Sequence, residues 1–108
     1  MKELNPKYLP LTPDVFNLVL EQNKPWEVIT EDSQIKCFAK FSFKNFSFAF
    51  AFLSQVALLS EELDHHAEVW NLYNTVTLKI YTHETKSITN IDRVFIEKVS
   101  KIYSHYAF

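Results

Sequence analysis

Apolar and polar positions along this chain recur with two different periods, and the changes from one to the other predict seven elements. Val15, Phe16, Val19 and Leu20 have helical spacing after Thr12-Pro13-Asp14, a hydroxyl N-cap with proline at the first helical position. The helix runs to about Gln22 and is ended by Lys24-Pro25. Trp26 to Thr30 and Gln34 to Phe43 predict a hairpin about the turn Glu31-Asp32-Ser33. In its second strand Ile35, Cys37, Ala39, Phe41 and Phe43 alternate with Lys36, Phe38, Lys40 and Ser42, so one side is buried and the other partly wet. Asn45 caps the longest helix, Phe46 to about Leu63. Phe46, Ala49, Phe50, Leu53, Val56 and Ala57 share one face there, and Phe48, Phe52 and Leu59 an adjoining one. That arc is wider than one sheet needs, so Phe48 and Phe52 are expected to be exposed and to meet a partner subunit.

After this helix, Glu68 to Tyr73 and Thr75 to Thr82 predict a second hairpin with its turn near Tyr73-Asn74; Val76, Leu78 and Ile80 alternate cleanly. Thr89-x-x-Asp92 has the form of a capping box opening a last helix that carries Ile91, Val94, Phe95, Val99 and Ile102. The expectation is an α+β fold, a four-stranded antiparallel sheet with three helices packed on one face. Residues 1–108 are expected to form one domain.

Composition sharpens this picture. The chain has no glycine, where ordinary usage would give roughly eight, so its turns must be made by Asn, Asp, Ser, His or Pro. Glycine-based phosphate cradles are thereby excluded and a nucleotide ligand is not expected. Lys and Arg total 11 against 13 acids, a net charge of −2 with no basic run, which gives no electrostatic case for nucleic acid or a membrane surface. Lone Cys37 excludes an intrachain disulfide framework and fits a reducing compartment. Polar interruptions from Ser42 to Gln55 are expected to keep the Phe-rich run below membrane-spanning length, and the polar start Met1-Lys2-Glu3 is not expected to open a signal peptide. The expected address is the cytoplasm, with the nucleus as the alternative.

Three of the four histidines stand in one stretch rich in carboxylates: Glu61-Glu62-Leu63-Asp64-His65-His66, then Thr82-His83-Glu84. Histidine gives and takes a proton near neutral pH. His65 and His66 lie at a helix exit and His83 at a strand end, where side chains from distant positions can converge on one cleft. Adjacent residues on a regular helix point about 100° apart, so both can face one ligand only where the chain leaves helical geometry. The competing reading of His-His is a surface cap at the negative end of the helix dipole. The strong zinc spacings are absent, so no metal is expected. Cys37, on an inward strand face, is expected to act as a small hydrophobe.

The arrangement Glu61-x3-His65-His66-x6-Tyr73-x9-His83-x8-Asp92 resembles the signature of pterin-4a-carbinolamine dehydratases, and Phe41-x-Phe43-Lys44-Asn45-Phe46, Ala49, Phe52, Val56-Ala57 and Leu63-Asp64 agree with it. The resemblance runs from about Trp26 to the last helix. It implies a hydro-lyase that removes water from 4a-hydroxytetrahydropterin to give quinonoid dihydropterin, in tetrahydrobiopterin recycling, with no cofactor. By this resemblance His66 and His83 are the acid/base candidates, with His65 assisting. Glu61, Asp64, Thr82 and Glu84 are the substrate-binding candidates and Asp92 a supporting residue. The assembly implied is a homodimer or homotetramer using edge strands and long helices. Some relatives also serve as dimerisation cofactors of a transcription factor, so the alternative is a non-catalytic interaction module acting through the long helix. Ala67 stands where the family usually has proline, Tyr81 where it has a small residue, Ile91 where some relatives have arginine, and Ser87 where glycine is common.

Overall fold

The computed structural model describes residues 7–106; Met1-Lys2-Glu3 lie outside the described residues. The order is α1 (Pro13–Gln22), β1 (Glu27–Glu31), β2 (Gln34–Ser42), α2 (Phe46–Leu63), β3 (Glu68–Leu72), β4 (Thr75–Ile80) and α3 (Asn90–Tyr103). The caps read from sequence are formed. The Thr12 hydroxyl accepts from the Val15 N–H, and Asn45 Oδ1 accepts from the Phe48 N–H at 2.9 Å. Thr89 and Asp92 complete a reciprocal capping box on α3, satisfying amide donors that a helix start otherwise leaves open.

All four strands are antiparallel in the order β1-β2-β4-β3, which leaves β1 and β3 at the edges. Period-two alternation sends Cys37, Ala39 and Phe41 of β2 and Val76, Leu78 and Ile80 of β4 inward, each at most 1% exposed. Helices cover this side, with Ala49, Phe52, Val56 and Leu59 of α2 and Phe95, Ile96 and Val99 of α3 buried against it. Phe41, Phe43, Phe52 and Tyr103 form an aromatic cluster with ring centroids 4.7–5.9 Å apart. Each such buried ring contributes on the order of 1.5–3 kcal/mol of transfer free energy. The other side of the sheet carries Ile29, Lys36, Phe38, Trp70, Thr77 and Lys79, and among the described residues no helix lies over it.

Two expectations for α2 need correction. Phe52 is fully buried and Phe48 half-buried, whereas Phe46 and Phe50 are 47% and 53% exposed and Leu58 is 72% exposed. The face toward the sheet is therefore Ala49-Phe52-Val56-Leu59, rotated from the one expected, because the wide apolar arc allowed either side to face inward. In addition, α2 taken alone has the length and mean hydropathy (1.3 over 18 residues) of a helix able to cross a membrane, contrary to expectation; one side of it is built into the core.

Without glycine, the left-handed positions among the described residues fall only partly to the expected turn formers: Asp and Ser take three of them, whereas Tyr73 and Lys86 lie outside the expected set of Asn, Asp, Ser, His and Pro. Asp32, Ser33, Asp64, Tyr73 and Lys86 adopt φ between 50° and 63°. Asp is the more tolerant of this region, while Tyr and Lys meet steric cost from Cβ.

Candidate active site

The site begins where α2 ends. Asp64, at φ 50°, stops the helix in a left-handed turn; the His65 N–H then reaches back to the Ser60 carbonyl at 3.0 Å. This closure satisfies an orphan carbonyl of the last turn, and beyond it the chain straightens toward β3. Successive side chains now diverge. His65 enters the interior and is 7% exposed, while the His66 side chain is 57% exposed.

His65 Nε2 donates to Asp92 Oδ1 at 2.6 Å. The other carboxylate oxygen accepts from the Thr82 hydroxyl at 2.6 Å and from the Thr89 N–H at 2.8 Å, and Thr89 Oγ1 lies 2.6 Å from Thr82 Oγ1. One capping carboxylate thus ties the α2 exit, the end of β4 and the start of α3 together. Both threonines and Asp92 are fully buried, and buried polar groups are tolerable when each finds a partner in this way. The His65 ring is flanked by Tyr8 and Phe95, with centroids 6.5 and 6.4 Å away. Burial, with the Asp92 carboxylate as a second cause, pushes the Cys37 thiol up to about 12. That leaves it the inert small hydrophobe expected from sequence.

His66 and His83 line one cleft of about 250 Å³ together with Ala67, Glu68, Lys79 and Tyr81. His66 arrives from the loop before β3 and His83 from the turn after β4, in which Thr82 and Ser87 exchange backbone hydrogen bonds of 2.9 and 3.3 Å. His83 Nδ1 is 2.9 Å from the Tyr81 hydroxyl. His66 Nε2 is 3.4 Å from Glu61 Oε1, a contact in the solvent. Lys79 belongs both to this cleft and to a shallower apolar depression with Ile29, Phe38, Trp70 and Thr77, so the cleft opens onto the uncovered side of the sheet. Among the described residues no three His, Cys, Asp or Glu side chains are grouped to hold a metal ion.

Charges on that sheet side are organised around Glu31, which accepts from Lys36 at 2.9 Å and from Lys79 at 2.7 Å. These hydrogen bonds, Lys79's first, hold the Glu31 carboxyl below its ordinary value. The Lys36 ammonium is held above its own, chiefly by its bond to Glu31. Lys36 also lies 3.7 Å from Glu68 and 4.8 Å from the centroid of the Tyr81 ring.

The sequence-derived candidates therefore divide. His66 and His83 share the cleft; His65 is absent from its lining and is committed to Asp92. Thr82 is buried with its hydroxyl engaged by Asp92 and Thr89, so it is not free to meet a ligand. Glu61, Asp64 and Glu84 are exposed and line no part of this cleft. Sequence reasoning missed Glu68 and Lys79, although a register signal existed: the two are paired across β3 and β4 and point away from the core. Tyr81, read only as a departure from a pattern, contributes a wall.

A family model described as Pterin 4 alpha carbinolamine dehydratase matches residues 9–102. A Mesorhizobium japonicum protein named as a candidate pterin-4-alpha-carbinolamine dehydratase is 34% identical over 93 residues, covering 86% of this chain and 93% of its own. Among solved structures, the transcriptional coactivator/pterin dehydratase from Brucella melitensis superposes with a TM-score of 0.78 at 35% identity, covering 88% of this chain and 99% of that one. A pterin dehydratase-like RuBisCO assembly factor of the alpha-carboxysome superposes at 0.63 with 22% identity, over 72% of this chain and 88% of its own. The latter likeness is one of fold.

Proposed function

The chain belongs to the pterin 4 alpha carbinolamine dehydratase family, and from that premise we propose that it is a 4a-hydroxytetrahydropterin dehydratase working by histidine acid/base catalysis. The observation that carries this reading is the shared cleft of His66 and His83. Loss of water from the carbinolamine needs a proton delivered to the departing 4a-hydroxyl and the N5 proton taken away, while the ring itself supplies the electron pair. Two imidazoles on one cleft suit that pair of transfers. Glu68 can accept hydrogen bonds from the amino and amide groups of a pterin, and the apolar shelf of Phe38 and Trp70 offers its faces to a flat ring. His65 acts through position: with Asp92 it fixes the chain segment from which His66 projects.

The test is the decay of 4a-hydroxytetrahydropterin absorbance with purified protein. His66→Ala and His83→Ala are each expected to slow the catalysed decay by roughly 10²–10⁴-fold. Decay at the wild-type rate in both variants rejects the proposal.

A second reading, contact with another protein chain through α2, is favoured by exposed Phe46, Phe50 and Leu58. Phe52, being core, cannot test it. Phe50→Ser removes exposed apolar surface and is expected to shift sedimentation toward a smaller species without lowering the rate; a wild-type chain that sediments as a monomer counts against this reading.

A further inference from the structure

We propose that Tyr81 is the positioning residue of His83: its hydroxyl donates to Nδ1, fixes the neutral imidazole in the Nε2–H form, and so offers an N–H rather than a lone pair to a ligand in the cleft. The hydroxyl stands 2.9 Å from Nδ1, and Tyr81 and His83 are both part of the cleft wall. Nε2 has no protein partner among the described residues and is the ring nitrogen left to meet a ligand. Two considerations set the direction of donation. A phenol, with a pKa of about 10, is a stronger donor than a neutral imidazole N–H, and an imine-type ring nitrogen is a stronger acceptor than a phenol oxygen. The Lys36 ammonium lies 4.8 Å from the Tyr81 ring centroid, and a cation against an aromatic ring draws electron density from it. That withdrawal strengthens the hydroxyl as a donor. Lys36 is itself fixed by Glu31 at 2.9 Å and Glu68 at 3.7 Å, so it is held where this polarisation needs it. The other polar groups of the cleft, His66, Glu68 and Lys79, have no hydrogen bond to His83.

The tautomer stands on this geometry alone, whereas its catalytic consequence rests on the dehydratase reading. In the neutral state His83 then works as a hydrogen-bond donor to the substrate; in the cationic state the second proton sits on Nδ1, and giving up the Nε2 proton leaves the ring as the Nδ1–H form with the Tyr81 hydroxyl turned to accept from it. The ring keeps its orientation between the two states, while the Tyr81 hydroxyl reverses from donor to acceptor.

The experiment is ¹⁵N correlation spectroscopy of the imidazoles in the full chain labelled at histidine, above the titration range, with exposed His105 as an internal reference. Wild-type His83 is expected to show a protonated Nε2 and a hydrogen-bonded, unprotonated Nδ1. In Tyr81→Phe the Nδ1 resonance is expected to move to the position seen for His105. A proton on Nδ1 in the wild type, or an unmoved resonance in Tyr81→Phe, overturns the proposal. With 4a-hydroxytetrahydropterin, Tyr81→Phe is expected to lower kcat about tenfold, the worth of one such hydrogen bond, with KM nearly unchanged. An unchanged kcat overturns the catalytic half. Absence of turnover by wild type and variant alike counts against the dehydratase reading only, and the ring resonances still decide the tautomer.

Discussion

Two histidines adjacent in sequence occupy opposite physical worlds. His65 is sealed in a polar network in which Asp92, Thr82 and Thr89 satisfy one another, whereas His66 stands in solvent beside a cleft it shares with His83. The network rests on one carboxylate: Asp92 already caps α3 through Oδ2, and its second oxygen anchors the exit of α2. The cleft has few such internal bonds, and its groups keep free capacity for something else. Residues that belong to one motif therefore need not do one job, since a motif records what must stay together in the chain and leaves open what each member touches.

The contrast is broken most directly by making the same change on both sides of it. His65→Ala removes a buried ring and leaves the Asp92 Oδ1 lone pairs without a partner, for an expected loss of about 2–4 kcal/mol of stability. His66→Ala should stay within about 0.5 kcal/mol of wild type, as exposed changes do. Chemical denaturation of both variants decides it, and equal losses would erase the distinction drawn here.

A smaller effect sharpens the view of the cleft side as wet and weakly coupled. Glu31 is held below its ordinary value of 4.5, so its contribution to stability is complete above that pH and disappears as pH falls through the depressed value. Lys36 is held above its ordinary 10.5, so its contribution is complete below that pH and disappears as pH rises through the elevated value. The stability gap between wild type and Glu31→Gln is thus expected to be small and level from pH 4.5 to 10.5, narrowing outside that window. Because Glu31 is partly exposed, the gap should also shrink with added salt. Urea midpoints across pH measure it, and a gap that widens on acidification contradicts the sign.

Much of the architecture was legible in the chain. Caps at Thr12, Asn45 and Thr89 and the alternation in β2 and β4 are local signals, and local signals survive tertiary context when they agree with it. The inward face of α2 was not legible, because phenylalanines surround the helix and only packing chooses among them. The site was half legible. The family resemblance brought out His66 and His83, while the commitment of His65 and Thr82 to Asp92 depends on how three element ends meet, which periodicity does not encode. Glu68 and Lys79 were hidden for another reason: their hairpin was legible, but the pairing of β4 with β2, which brings Glu31 and Lys36 beside them, is a property of the whole fold.

The five left-handed residues carry one more implication. A polypeptide without glycine has less backbone freedom before it folds, so less is surrendered when it does. A positive φ at Tyr73 and Lys86, both of which carry a Cβ, is the local cost of that stiffness. The bends of this molecule are correspondingly set by side-chain chemistry, and each is a place where a single residue's identity decides how readily the chain doubles back.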